Sequence, residues 1–120
     1  MQELNQFTGT ENYFSFNPIF GKHVITDGVK YLAEKAQCYW LLDAIASYHG
    51  TIIKKFPNSI SFQVWRLVVN KSKGKLQLVE NEKVLIEQKI KYTDFPMDKI
   101  VLYVAQSGAN QFVIMLPSEY

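Results

Sequence analysis

Few residues in this chain could do chemistry. Two histidines, His23 and His49, and one cysteine, Cys38, are all the imidazole and thiol groups in 120 residues. A metal centre needs several such ligands, or carboxylates, at close quarters. No pair here has C-x-x-C or H-x-x-x-H spacing. A site built from His23, His49 and Asp43 would need the fold to gather three distant positions, so no metal and no cofactor are expected. The expectation is a surface histidine at each end of a helix, with His49 favoured near a helix C-terminus by the dipole. Cys38 could act as a nucleophile only beside a base that raises its thiolate fraction. None is close in sequence, so Cys38 is expected to be a small buried hydrophobe.

Asp43 is the one acid inside Tyr39-Trp40-Leu41-Leu42-Asp43-Ala44-Ile45-Ala46-Ser47. An unpaired buried carboxylate is costly, so Asp43 must be paired, at a wet edge, or a functional acid. A bond to the backbone of the 93–96 turn, or to Arg66, outweighs catalysis. General acid–base work would need a second group, for which only Asp94 or Glu119 can be nominated.

The basic residues are unevenly placed. Lys54, Lys55, Arg66, Lys71, Lys73 and Lys75 fall in a stretch without Asp or Glu, and Glu80, Glu82 and Glu87 follow. With Trp65 they form a partner-binding set, in which a ring could stack a base while lysines hold phosphates. Trp65 has apolar neighbours, so a core or interface position is expected for it. A solvated hairpin accounts for the lysines more simply. Thr93-Asp94-Phe95-Pro96 looks like a turn in which the Asp side chain bonds the backbone two residues on. Segment 116–120 is expected to pack on the domain rather than serve as a docking peptide. No Gly-rich phosphate loop, G-x-S-x-G or Walker lysine is present.

These groups must be positioned by elements that hydrophobic periodicity outlines. Residues 26–49 read as a helical unit, with Thr26 or Asp27 as N-cap and Gly50 as the left-handed stop. A bend is expected near Lys35 and Gln37. The run from Tyr39 to Ala46 is apolar on nearly every side, so it must be covered twice, by its own sheet and by the arm or another subunit. Period-2 alternation marks strands around 60–68, 75–78 and 84–92, with turns at Ser72-Lys73-Gly74 and Asn81-Glu82. Strands at 100–105 and 111–116 are apolar on both faces and should lie centrally or under the helix. The aromatic-rich segment 1–25 shows no sustained period and reads as an irregular arm lying on the body or on a partner. The expected fold is α+β, an N-terminal helical unit (26–49) on an antiparallel sheet of about five strands (59–117), in one domain spanning 1–120.

Composition narrows the function classes. Hydrophobic residues are 48% and charged residues 20%, a globular balance. One cysteine excludes a disulfide scaffold, and no apolar run is long enough to span a membrane. Neither a basic n-region nor an apolar h-region opens the sequence, so a cytoplasmic location is expected. A net charge of +2 is too small to argue nucleic-acid binding by itself.

Five blocks carry a family resemblance: Phe7-Thr8-Gly9-Thr10-Glu11-Asn12, Tyr31-Leu32-Ala33-Glu34, Tyr39 to Ser47, Tyr92-Thr93-Asp94-Phe95-Pro96 and Leu116-Pro117-Ser118-Glu119-Tyr120. In order and spacing they resemble DUF6876, a small bacterial family of unknown function. The resemblance implies a single-domain protein of bacteria, their phages and mobile elements, and brings no activity, cofactor or catalytic residue. The expected function is a non-catalytic module in the bacterial cytosol that binds a larger protein or ribonucleoprotein. An anti-CRISPR inhibitor is its most concrete form, with an RNA contact through the basic 54–75 face or the aromatic arm. The alternatives are a small hydrolase or nucleic-acid-processing enzyme centred on Asp43, and a homodimeric structural or regulatory protein joined through the 39–46 helix surface.

Overall fold

The computed structural model describes residues 4, 6, 7, 9 and 12–120. Among these, three α-helices run in series: α1 (Asp27–Lys35), α2 (Tyr39–Ser47) and α3 (His49–Lys55). Seven strands form one sheet: β1 (Tyr13–Ser15), β2 (His23–Thr26), β3 (Phe62–Asn70), β4 (Lys73–Glu80), β5 (Lys83–Ile90), β6 (Lys99–Gln106) and β7 (Phe112–Met115). The order across the sheet is β1-β2-β7-β6-β3-β4-β5. The β2–β7 pair is parallel and the others are antiparallel.

This overturns the expected architecture. The five strands read from the sequence, three by alternation and two as runs apolar on both faces, exist as β3 to β7, but the sheet is mixed and has seven strands. The helices are not an N-terminal unit, because two strands precede them. Within the aromatic-rich segment 1–25, residues 13–15 and 23–25 are strands of the sheet, and residues 1–3, 5, 8, 10 and 11 lie outside the described residues. Sequence periodicity missed β1 and β2 for a physical reason. All four residues of β2 are buried, so its two faces look alike, as expected of a parallel strand covered on both sides. At three residues, β1 is too short to show a period. The block 7–12 includes Thr8, Thr10 and Glu11, which lie outside the described residues.

The helical stretch 26–49 is broken where the backbone chemistry dictates. The Thr26 hydroxyl caps α1 by accepting from the Val29 N–H at 3.2 Å. At the other end Gln37 takes a left-handed conformation, φ 51°, and the Cys38 N–H donates to the Ala33 carbonyl at 3.0 Å. This is a Schellman-type stop, a position that favours glycine. Gln37→Gly should therefore stabilise the fold by about 1 kcal/mol, because a Cβ in this conformation is costly. Urea denaturation would show it as a raised midpoint with unchanged slope, and an unchanged or lowered midpoint would refute it. Gly50 does not act as a stop. It lies inside α3, and the junction between α2 and α3 is Tyr48, in right-handed geometry.

Both tight hairpins use two-residue turns with both central φ angles positive: Lys71 (52°) and Ser72 (64°), then Asn81 (50°) and Glu82 (67°). Such primed turns match the twist of antiparallel strands. The first turn is thus Lys71-Ser72 rather than Ser72-Lys73-Gly74, and Gly74 is a buried position of β4.

All three helices lie on one face of the sheet. Leu32, Leu41, Leu42, Ile45 and Ile52 join Ile25, Trp65, Leu67, Leu102 and Ile114 in a single core. Among the described residues no α-helix covers the opposite face of β6, β3, β4 and β5, where Lys99, Val68, Lys75 and Lys89 are exposed, whereas β2 is buried along its whole length.

Candidate functional site

The strand register sorts the side chains of the helix-free face into rows. The first row crosses four strands as Lys99, Val68, Lys75 and Lys89. The second reads Val101, Arg66, Gln77 and Glu87, and the third Tyr103, Val64, Val79 and Val84. Phe62 and Ala105 follow. The face therefore grades from a lysine end, through a polar middle, to an apolar and aromatic end. At the lysine end Lys73, Lys75, Lys89 and Lys91 line an open groove of about 570 Å³ with Val68 and Asn70.

The polar middle is a bonded ladder. Arg66 Nε and Nη2 donate to Gln77 Oε1 at 3.0 and 2.6 Å, and Gln77 Nε2 donates to Glu87 Oε1 at 2.7 Å. One oxygen of the Glu87 carboxylate is thereby engaged by Gln77.

The aromatic end is a triad. The ring centroids of Phe62 and Tyr103 are 5.1 Å apart, and Tyr120 lies 5.0 Å from Phe62 and 5.8 Å from Tyr103. Tyr120 is 77% exposed. Its neighbour Glu119 fixes the segment by accepting from the Thr26 hydroxyl at 2.6 Å, the Gly28 N–H at 3.1 Å and the Leu116 N–H at 2.9 Å. These contacts join 116–120 to the N-terminus of α1, where negative charge is favoured.

The nominated basic set is split by the fold. Lys73, Lys75 and Arg66 share the helix-free face, and Lys71 is at its rim in the turn. Lys54 and Lys55 are exposed at the end of α3, in the helical layer on the other side. Trp65 points to the helices and is 1% exposed, with its Nε1 donating to Gln63 Oε1 at 2.9 Å and its ring 5.6 Å from that of Tyr48. No base can stack on it. Sequence reasoning missed Lys89, Lys91 and Lys99 and the aromatic triad. The i, i+2 spacing of Lys73 with Lys75 and of Lys89 with Lys91 was the available signal.

Asp43 accepts from Asn17 Nδ2 at 3.1 Å, a partner supplied by the aromatic segment rather than by the 93–96 turn or Arg66. In that turn Thr93 does the work expected of Asp94: its Oγ1 accepts from the Phe95 N–H at 3.1 Å. The apolar side of 39–46, Leu41, Leu42, Ile45 and Ala46, is buried within this chain.

The histidines are not separate surface groups. Their rings meet edge to face at 5.2 Å and both contact Phe112, at 5.6 Å for His23 and 4.6 Å for His49. His23 is buried and its pKa falls to about 4, through desolvation first, then His49 and Lys22. His49 is lowered too, by desolvation and then Lys22. Its Nδ1 is buried with no hydrogen-bond partner among the described residues. Among the described residues no group of three or more His, Cys, Asp or Glu is placed to hold a metal ion. Cys38 is fully buried in the core, and burial pushes its thiol up to about 12, so it is protonated at neutral pH.

A mixed sheet backed on one side by three short helices, with the other side open over β6, β3, β4 and β5, defines a two-layer α+β domain. The chain belongs to the family of unknown function DUF6876, whose model matches residues 1–120. No curated protein matches it in sequence. Among solved structures it is similar to a crystal structure of a protein of unknown function from Enterococcus faecalis. The identity is 17%, over 82% of this chain and 90% of that one, with a TM-score of 0.51, a likeness of fold. No helix among the described residues is long and apolar enough to cross a membrane.

Proposed function

We propose that this chain is a non-catalytic binding module that grips a polyanionic surface of a larger protein or ribonucleoprotein with the helix-free face of its sheet. The observation that carries this reading is the lysine row. Lys75 is directly opposite Lys89, and Lys99 completes the row across Val68. Like charges directly opposite on a sheet destabilise it, so this row favours a state in which an anionic partner neutralises it. The protein's overall charge is small, so the attraction is local and directed at one face. An inhibitor of a guide-RNA effector, the anti-defence form of this reading, would use the row on exposed phosphates of the guide RNA, since the protein walls of a nucleic-acid channel are themselves basic. The enzymatic alternative is less supported, because the Asp43 carboxylate is tied to Asn17.

Heparin is a direct probe of the row. Binding should weaken with salt with a logarithmic slope of roughly three to four, as expected for about four neutralised anionic groups. Lys75→Glu combined with Lys89→Glu should lower affinity at least tenfold without lowering the melting temperature, because both positions are exposed and one like-charged pair replaces another. Unchanged retention by that variant would sink the proposal.

A further inference from the structure

We infer that the ligand of this face is a single-stranded nucleic acid, with phosphates on the lysine end and an unstacked base on the Phe62, Tyr103 and Tyr120 triad. This inference rests on the polyanion reading above and names the polyanion. Two features that a merely basic surface would lack support it. The first is the aromatic triad on the same face as the lysines, with Tyr120 largely exposed. Aromatic rings on an open sheet accept bases of any identity, because every base has a π-face. The second is distance. Phe62 and Val68 are on the same strand, so the triad and the lysine row are about 20 Å apart at roughly 3.3 Å per residue. A single strand covers about 20 Å in roughly six nucleotides at the 3.4 Å rise of a duplex strand, and in fewer when extended. Arg66 lies between the two ends, its guanidinium already oriented by Gln77.

The platform is also held in place. The three bonds of Glu119 anchor the segment that carries Tyr120, so its ring is positioned before any ligand arrives. Preorganisation of this kind reduces the entropy lost on binding. A duplex keeps its bases stacked inside and offers nothing to the triad, so the face should discriminate against it. An acidic protein segment would satisfy the lysines and leave the aromatic end without a role.

The test uses fluorescence anisotropy of the full chain with a labelled eight-nucleotide mixed-sequence RNA, the matching duplex, and heparin. The expected result is tighter binding to the single strand than to the duplex. Tyr120→Ala should weaken single-strand binding about five- to a hundredfold while leaving heparin affinity unchanged, the range measured for losing one base stack. Tyr120→Phe should restore it. Lys75→Glu with Lys89→Glu should weaken both ligands. Heparin binding without single-strand preference, or an unaffected Tyr120→Ala, overturns the nucleic-acid inference and leaves the polyanion reading standing. Binding to neither heparin nor RNA overturns both.

Discussion

Glu119→Ala should destabilise the fold by about 2–3 kcal/mol, a large loss for a side chain outside the core. Its carboxylate accepts three hydrogen bonds, from the Thr26 hydroxyl, the Gly28 N–H and the Leu116 N–H. Thr26, Gly28 and Leu116 are all buried, so removing the acceptor takes the partner from three donors. The favourable charge at the start of α1 is lost as well. For a domain of this size the loss corresponds to a fall in melting temperature on the order of 10 °C. Gly28→Ala should have a similar effect from the other side. A Cβ there would stand 2.7 Å from Leu116 Cδ1 and 2.8 Å from Glu119 Oε1, so the leucine methyl and the bonded carboxylate would have to shift, at the expense of the Glu119 hydrogen bonds. Urea denaturation of both variants checks this. A loss below 0.5 kcal/mol for Glu119→Ala would show that the segment is merely resting on the domain.

Stability should also drop as the solution is acidified through the range of the two histidines. His23 is held neutral in the fold, down to about pH 4, while in the unfolded chain it takes up a proton near 6.5. Below 6.5 the unfolded state therefore binds more protons, and stability is lost progressively until the folded state also protonates near 4. Burial of the ring sets the sign and the facing groups reinforce it: His49 on α3 and Lys22 both add positive charge, and Phe112 on β7 supplies only a ring. The loss should be on the order of 2 kcal/mol. Carboxylates titrate in part of the same window, so the informative quantity is the difference from His23→Phe, which keeps a ring against Phe112. The variant should be markedly less acid-sensitive between pH 6.5 and 4.5. Parallel melting-temperature profiles for the two proteins would refute the assignment.

Much of this structure was legible where alternation, an apolar run or capping chemistry is explicit. Strands β3 to β7, the Thr26 cap, the break near Gln37 and the burial of Cys38 follow from the residues themselves. The first strands did not, because β2 is covered on both faces and gives no period. The pairing of Lys75 with Lys89 was also hidden, although the Asn81-Glu82 turn was readable. Counting back from that turn puts Gln88 opposite Lys75. An irregularity between Leu78 and Val79 shifts the register by one and brings in Lys89 instead. Trp65 and Arg66, adjacent in sequence, face opposite sides of the sheet, so the proposed stacking partner was lost to the core. The contact between His23 and His49 depends on the β2–β7 pairing, which no local pattern announces.

That parallel pair also sets a timetable for assembly. Residue 23 is made early and must wait for residue 112 before its strand has a neighbour on the β7 side. The run from β3 to β6 can collapse first, since most of its pairings are hairpins or close in sequence. Until β7 arrives, the apolar strand β2 has no neighbour on that side and is able to accept a strand from another chain. Synthesis of this protein therefore includes an interval of exposure that ends only when the last strand is in place.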